Sequence, residues 1–361
     1  MPGDLLTGLW TSDTAPQWHA ADWERLFSQA RRARLLGRVA WLLQTRGWTD
    51  CAPPEARVHL HNALRAVARQ RQAAHWEVDC VRRAIGHLPT PVVLLKGAAY
   101  VLADLPPAKS RRFGDIDILV AAPALGAVEA ALAAHGWAAM PLDPYDDRYY
   151  RQWSHELPPL RHEERGTMLD VHHCITQPGS RFAVDAQRLL ADARPLHGQP
   201  GLMVLSPADM VLHAAAHLMQ EGDLSRGLRD LLDMHDLLTC FGAQPDFWPA
   251  LVDRAATLGL CEPLLDVLTQ AQCKLGLVVP QPAWQQLQQQ SARPLRHRLT
   301  AAMLAVALRP NHPDADCRST RLVRAWFYLR AHRIRMPLHR TLPHLLHKAW
   351  LRLRHRPPGL T

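Results

Sequence analysis

Two aspartates begin an otherwise apolar stretch in the middle of the chain. In the segment SRRFGDIDILVAAP, residues 110–123, Asp115 and Asp117 flank a single isoleucine and precede a run of Ile, Leu and Val. Side chains alternate in direction along a strand, so both carboxylates are expected on one side. Adjacent carboxylates repel each other, and a divalent cation such as Mg²⁺, which prefers carboxylate oxygens, removes that repulsion. The pair alone is a weak indication of a metal site, because Asp-x-Asp is also common in loops.

A third aspartate lies in a second apolar segment. Asp170 belongs to TMLDVHHCI, residues 167–175, and the strand period puts Met168, Asp170 and His172 on one face. If this strand lies beside the Asp115–Asp117 strand, three carboxylates converge on one edge of a sheet. Such a set serves two-metal phosphoryl transfer. The alternative is that Asp170 only caps or pairs with a group at the end of its strand.

Candidate phosphate-binding groups lie on either side of this region. Lys96 and Gly97 follow the apolar run PVVLL, residues 91–95, and precede a short helical stretch. A glycine there lets the backbone approach a phosphate closely, and the start of the helix offers free N–H groups. Lys96 can neutralise phosphate charge, and so can Arg111 or Arg112 beside the acids. We take Lys96, Gly97 and Arg112 as the predicted nucleotide-binding residues.

The order of these motifs resembles a known family. VVLLKGAAYVLADL, RRFGDIDILV and MLDVHH follow one another as they do in the uncharacterised nucleotidyltransferase family of the DNA polymerase beta-like superfamily. The helical segments VLSPADMVLHAAAHLM and LRDLLDMHDLL are also similar to that family, and the resemblance covers most of residues 91–356. It implies a mixed α/β (α+β) fold, in which a small polymerase-beta-like sheet core is flanked by N- and C-terminal helical regions.

The resemblance also implies roles for individual residues. Asp115 and Asp117 correspond to the metal-binding pair, Asp170 to the third carboxylate, and Gly97 to the first residue of a Gly-Ser turn. The implied cofactor is Mg²⁺ or Mn²⁺, and the implied donor is an NTP such as ATP. The chain departs from the pattern at two places: Ala98 replaces the serine, and a second histidine, His173, replaces the tryptophan of Asp-Leu-His-Trp.

Hydrophobic periodicity indicates the elements that carry these motifs. Residues from about 20 to 88 place apolar side chains at helical spacing, strands and helices then alternate, and Ser206-Pro207 is typical of the start of a further helix. We predict four regions: an N-terminal helical region at 1–88, a nucleotidyltransferase core at 89–200, a helical domain at 201–280 and a basic helical region at 281–361.

Composition limits the class of protein. Apolar residues make up 48% and charged residues 21% of the 361 residues, which is typical of a folded domain rather than a disordered chain. No apolar run approaches the roughly 20 residues of a membrane span, and the N-terminus lacks the pattern of a signal peptide. The seven cysteines include no Cys-x-x-Cys pair, so a zinc ribbon or a disulfide framework is not indicated. We expect a cytoplasmic protein.

The positive charge is concentrated at the C-terminus. Residues 317–361 contain ten arginines and one lysine but no acidic residue, whereas the whole chain has a net charge of +9. Arginines alternate there with Trp326, Phe327, Tyr328 and Trp350. Three interpretations stay open: a nucleic-acid surface such as one for RNA, a segment lying on an anionic membrane, or helices that pack on the core with solvated arginines.

His213 and His217 form a further candidate pair. Their spacing of four puts both on one helical face, as in helical zinc sites, but no glutamate follows His213 and no third ligand is evident. A pair that faces the active cleft or a partner helix is favoured over a metal site.

The sequence thus predicts an Mg²⁺-dependent nucleotidyltransferase that moves NMP from an NTP to an acceptor, which it does not identify. The alternative is a nucleic-acid- or membrane-surface-binding module with a vestigial nucleotide site.

Overall fold

The structure, a computed structural model, describes residues 4–290, 294–336 and 341. Four helices precede the sheet: α1 (Leu5–Thr11), α2 (Ala20–Arg32), α3 (Leu36–Thr45) and α4 (Pro54–Ile85). Helix α2 shows why this region is helical, because Trp23, Leu26 and Phe27 fall on one face and are buried. Pro53 and Pro54 separate α3 from α4, and Pro54 occupies the first turn of α4, where a missing N–H has no cost.

A mixed seven-stranded sheet forms the middle of the molecule. Its strands are β1 (Val92–Leu95), β2 (Asp115–Leu119), β3 (Trp137–Ala139), β4 (Leu160–His162), β5 (Met168–His172), β6 (Arg194–Pro195) and β7 (Leu202–Val204). They lie in the order β3-β4-β5-β2-β1-β7-β6. The inner strand β2 is antiparallel to β1 and parallel to β5. The predicted mixed α/β fold is confirmed.

Short helices connect the strands: α5 (Lys96–Leu102), α6 (Leu125–Ala133), α7 (Pro144–Trp153) and α8 (Ala186–Ala191). All four residues of β1 are buried, as expected for an apolar strand that is covered on both faces. Strand β2 is buried at every position after Asp115. The acids therefore begin a central strand, and Asp115 marks the point where that strand leaves the solvent.

In the described part of the chain, seven helices follow the sheet: α9 (Pro207–Gln220), α10 (Gly227–Phe241), α11 (Phe247–Thr257), α12 (Cys261–Leu275), α13 (Gln281–Gln290), α14 (Pro294–Ala307) and α15 (Thr320–Arg335). Ser206 caps α9 by accepting a hydrogen bond from the backbone N–H of Asp209, and Pro207 follows as the first helical residue. The buried apolar residues of the sheet and of both helical regions form one continuous core. The four predicted regions and their boundaries stay a prediction.

A buried ion-pair network joins the N-terminal helices to α10. Arg38 of α3 donates to Asp233 at 2.6 Å and to Asp236 at 2.5 Å. Arg111, in the loop before β2, donates to the other oxygen of Asp233. Burial raises the pKa of Asp233 although the two guanidinium groups act in the opposite direction. Because each charge has a partner, the network fixes α3, α10 and the loop before β2 relative to one another.

The described half of the basic C-terminal region packs on the core. In α15, Phe327 and Ile334 are buried, and the Arg330 guanidinium donates to the carbonyl of Met219 at the end of α9. Residues 337–340 and 342–361, which include Trp350, lie outside the described residues. Among the helices that the structure describes, none combines the length and the apolar character needed to cross a bilayer.

Candidate active site

The three aspartates lie on adjacent parallel strands. The β2–β5 register pairs Asp117 directly with Asp170, while Asp115 stands opposite Met168 at the start of β2. Asp115 is exposed, whereas Asp117 is only 3% exposed. All three line one cavity of about 490 Å³, within the usual size range of ligand sites. The strand period and the parallel pairing therefore bring together the carboxylates that lie far apart in the sequence.

Asp117 has two cationic or proton-donating partners. The Lys96 ammonium donates to Oδ1 of Asp117 at 2.9 Å, and His172 Nε2 lies 3.0 Å from the same oxygen. Burial favours the neutral carboxyl, but Lys96 and His172 outweigh it and hold the pKa of Asp117 well below its usual range. Burial likewise opposes the charge on Lys96, yet Asp117 raises the pKa of that ammonium. Both partners are therefore charged at neutral pH.

Lys96 reaches Asp117 from an uncommon backbone conformation. It is the first residue of α5 and has a φ of 42°, in the left-handed region that residues with a Cβ rarely adopt. Such a conformation costs of the order of 1–3 kcal/mol and persists where the surrounding structure imposes it. Here the strained residue connects β1 to α5 and directs its ammonium into the cavity.

Gly97 is buried against an aromatic ring. A Cβ at this position would lie 2.2 Å from Cδ1 of Phe113, which no real Cβ tolerates. Gly97 does not line the cavity, although its neighbour Lys96 does. The absence of a side chain at Gly97 is thus explained by the close approach of α5 to Phe113, a contact that the resemblance did not suggest.

The carboxylate of Asp170 receives little compensation for its charge from the described side chains. Its side chain forms no hydrogen bond or ion pair with any residue that the structure describes. Burial, and then the nearby charges of Asp117 and Glu156, raises the pKa of Asp170 to about 7. Asp170 therefore experiences a negative local field that a cation or a proton would neutralise.

A cluster of His155, Glu156 and His172 adjoins the aspartates. Residues 154–156 follow α7, and Glu156 forms a backbone bridge with His172 at the end of β5. His172 Nδ1 lies 3.4 Å from Oε2 of Glu156, and the rings of His155 and His172 are 5.3 Å apart. Burial and the neighbouring His172 hold the pKa of His155 well below its usual range.

Several arginines also line the cavity. Arg34, Arg112 and Arg226 are exposed, come from three separate segments, and have no hydrogen bond or ion pair from their side chains to the described residues. The charge of Arg226, more than burial, lowers the pKa of Arg34. Arg229 lines the cavity as well but is paired with Asp230 at 2.6 Å. The cavity therefore contains three guanidinium groups without an ion-pair partner among the described residues.

The other predicted residues differ in their relation to the cavity. Arg112 lines it, whereas Arg111, although it also reaches the cavity wall, is committed to Asp233. His217 lines the cavity and has Nε2 3.8 Å from Oε2 of Glu221, while His213 is buried. Burial lowers the pKa of both histidines well below the usual value. Only His217 of the pair thus borders the cavity, and neither histidine belongs to a metal-binding cluster of the described residues.

Comparison with protein families agrees with this arrangement. The model of the uncharacterised nucleotidyltransferase family matches residues 19–276, which is more than half of the chain and includes every strand. The chain belongs to this family. Neither a curated protein nor a solved structure matches it. The matched range contains all the cavity residues described above, from Arg34 to the arginines that precede and begin α10.

Several cavity residues were not predicted from the sequence. Arg34 lies at the end of a helix far upstream, Arg226 precedes α10, and His155 and Glu156 follow α7. None belongs to a local motif of acids or glycines, so only the tertiary fold brings them to the β2–β5 edge. His172 did carry a signal, because the strand period put it on the same face as Asp170.

Proposed function

We propose that the chain transfers NMP from an NTP to an acceptor and releases pyrophosphate, with Mg²⁺ or Mn²⁺ as cofactor. Membership of the nucleotidyltransferase family supports the general reaction. The observation that carries the proposal is that one cavity contains both acidic and basic groups. Asp115, Asp117 and Asp170 line it together with Arg34, Arg112 and Arg226, whose side chains have no partner among the described residues.

The three aspartates suit a hard divalent cation. Asp117 and Asp170 are neighbours in register, and burial, followed by the charges of Asp117 and Glu156, raises the pKa of Asp170. Carboxylate oxygens together with waters and phosphate oxygens are the ligands that Mg²⁺ prefers. Such ions, when bound, would polarise the α-phosphate and offset the charge that develops on the leaving pyrophosphate. Asp115, Asp117 and Asp170 are the residues that would hold them.

The arginines suit the triphosphate. Guanidinium groups bind phosphate oxygens in a bidentate manner, and three of them have no competing partner in the described chain. Lys96 also lines the cavity and can add a further positive charge for the phosphates. These cations would hold the triphosphate while the α-phosphate lies beside the aspartates.

The protein groups account for the remaining steps. The acceptor oxygen attacks the α-phosphorus, a new P–O bond forms, and the bond from that phosphorus to the β-phosphate oxygen breaks as pyrophosphate leaves. The Asp170 carboxylate, in register with Asp117, would take the proton of the acceptor. Tyr149 and Tyr150 also line the cavity and would contact the acceptor. A small molecule, a saccharide or peptide product, a protein side chain and a tRNA end all satisfy this chemistry.

Ligand-induced stabilisation tests the proposal before an acceptor is known. Thermal unfolding is measured with each NTP, with and without Mg²⁺, for the natural chain and for Asp115→Asn. A ligand at 100 times its dissociation constant stabilises the native state by about 2.7 kcal/mol. A Mg²⁺-dependent shift with at least one NTP, absent in Asp115→Asn, supports the site. No shift with any nucleotide would contradict nucleotide binding by the free enzyme.

One observation favours the alternative of a surface-binding module. Helix α15 exposes Trp326 and Leu329 beside Arg333, and these side chains share a groove with Arg296 and Leu299 of α14. Aromatic and cationic groups together suit either stacked bases or an anionic lipid surface. This surface lies apart from the residues that line the aspartate cavity, so the two functions can be tested separately.

A further inference from the structure

The backbone holds the segment after α7 firmly against β5. The Leu157 N–H donates to the carbonyl of Val171 at 2.9 Å, and the His173 N–H donates to the carbonyl of His155 at 2.9 Å. Glu156 and His172 are directly opposite in this pairing. Two segments that are separate in the sequence thus present a carboxylate and two imidazoles to one point.

The contact with Asp117 indicates which ring nitrogen of His172 carries the proton and which one has a free lone pair. A carboxylate can only accept, so the proton of His172 lies on Nε2, which is 3.0 Å from Oδ1 of Asp117. Nδ1 of a neutral ring is then an acceptor. His172 is 1% exposed, and its Nδ1 is buried with no hydrogen-bond partner among the described residues. This acceptor faces a second acceptor, because Oε2 of Glu156 lies 3.4 Å away.

His155 adds a third donor atom. Its Nδ1 is also buried without a hydrogen-bond partner, and its Nε2 lies 3.9 Å from Oε2 of Glu156. One ligand atom from each of the three residues lies within 4.8 Å of the others. Ligands on a tetrahedral ion with bonds of 2.0–2.1 Å are about 3.4 Å apart, so the Glu156–His172 pair already has the required separation. Small side-chain rotations of His155 would complete the set.

We propose that His155, Glu156 and His172 form a binding site for a transition-metal ion of the Zn²⁺ type, separate from the aspartate site. Two imidazoles and one carboxylate are borderline ligands that suit Zn²⁺ or Fe²⁺, whereas Mg²⁺ prefers oxygen ligands alone. Three protein ligands leave a coordination position open, and His155 and Glu156 both line the cavity toward which it faces.

Asp117 connects this site to the aspartates. A metal-bound histidine commonly donates its other ring N–H to a carboxylate, which fixes the orientation of the ring. The Asp117–His172 contact has this arrangement, so Asp117 would support the ion through His172 while it lies in register with Asp170. The inference rests on the His155–Glu156–His172 geometry alone and does not depend on the proposed nucleotidyl transfer.

Metal titration of the full-length protein tests the site. The chain is stripped with a chelator and titrated with Co²⁺, followed by its d–d absorption, and then with Zn²⁺ in competition with a chromophoric chelator. We expect one tightly bound ion per chain. His155→Ala and Glu156→Gln should each weaken binding by more than about 10-fold, the loss that follows even from removing an outer partner of a ligand.

Two variants serve as matched controls. His173 is next to His172 in the sequence, but its imidazole contacts the carbonyl of Ser154. The His173→Ala variant should therefore still bind the ion. Asp115→Asn should lose the Mg²⁺-dependent NTP effect and keep Co²⁺, which separates the two proposals. The two ligand variants change His155 and Glu156, which are partly exposed, so both variants should fold. Circular dichroism is used to check this.

Three outcomes would overturn the site. An absence of tight binding would mean that the three side chains only contact one another and hold no ion. Equal binding by the natural chain and both ligand variants would mean that the ion binds elsewhere. Loss of Co²⁺ in Asp115→Asn would assign the ion to the aspartates rather than to the histidines.

Discussion

Lys96 and Asp117 are joined by an ion pair in which Nζ lies 2.9 Å from Oδ1, with 21% and 4% of the two side chains exposed. The residue predicted to bind phosphate is thus paired with the residue predicted to bind metal. Each holds the other in its charged form, which burial alone would oppose. Both residues are therefore structural partners as well as candidates for catalysis. A substitution at either one is expected to affect both activity and stability.

Asp117→Ala is expected to abolish transfer and also to destabilise the fold. It leaves the Lys96 ammonium largely buried without a partner, which typically costs about 3–5 kcal/mol for a buried pair. Denaturant unfolding measures this loss. Adding Lys96→Met should recover most of the stability without restoring activity, and stability equal to that of the natural chain in Asp117→Ala would contradict the pairing argument.

Asp115→Asn separates chemistry from stability. Asp115 is exposed and has no side-chain partner among the described residues, so its unfolding free energy should stay within about 0.5 kcal/mol of the natural chain. Loss of one group that stabilises transition-state charge typically lowers the rate by about 10²–10³-fold. The measurement is pyrophosphate release with an identified acceptor. A fully active Asp115→Asn enzyme would remove Asp115 from the metal site.

Arg34→Ala and Arg226→Ala should each raise the KM for the NTP. A charge-assisted hydrogen bond contributes about 1.5–3 kcal/mol, so an increase of at least about 10-fold is expected. Stability should not fall, because Arg226 lowers the pKa of Arg34 by repulsion and neither side chain has a partner in the described chain. Arg32→Ala, on the exposed end of α2 outside the cavity, is the control. An unchanged KM in both variants would exclude these arginines from triphosphate binding.

Strand periodicity predicted the acids well because it is a local property. Asp115, Asp117 and Asp170 share a face as a direct consequence of alternation, and only the pairing of β2 with β5 had to be assumed. Gly97 illustrates the limit. Its sequence context suggested a close approach to phosphate, but the close contact is with Phe113, sixteen residues later. Arg34 and Glu156 could not be predicted, since no short-range pattern encodes which distant segments meet at a sheet edge.

Gly97→Ala tests that contact directly. The new Cβ would lie 2.2 Å from the Phe113 ring, so we expect a loss of about 1–3 kcal/mol from overpacking. Adding Phe113→Leu should recover part of the loss in thermal unfolding. Gly126→Ala is the matched control, because its Cβ meets nothing within 4 Å and alanine favours a helix. Nucleotide affinity that stays low in the stable double variant would instead support a phosphate-binding role for Gly97.

Asp170 should make stability depend on pH. Its pKa is raised to about 7, whereas an aspartate in the unfolded chain titrates near 3.9. Between about pH 4 and pH 7 the folded chain retains a proton that the unfolded chain has released, so stability falls as pH rises through this window. Asp170→Asn should reduce that fall, and Mg²⁺ should oppose it in the natural chain.

Denaturant midpoints across this pH window measure the effect, with Asp13→Asn at an exposed position as the control. Parallel profiles for the natural chain and Asp170→Asn would contradict the assignment.

Removal of residues 337–361 should leave nucleotide binding intact. Among the described residues, every side chain that lines the aspartate cavity lies between Arg34 and Arg335, so we expect unchanged Mg²⁺-dependent stabilisation by the NTP. Removal from residue 317 onward is not equivalent, because it deletes the buried Phe327 and Ile334 together with Arg335. Binding of the shorter chain to RNA and to anionic vesicles is measured in parallel, with Trp326→Ala as a probe of the exposed face of α15. Surface binding that survives the truncation and is lost in Trp326→Ala would assign it to α15. Loss of NTP binding on removing 337–361 alone would show that the site needs groups beyond those of the cavity.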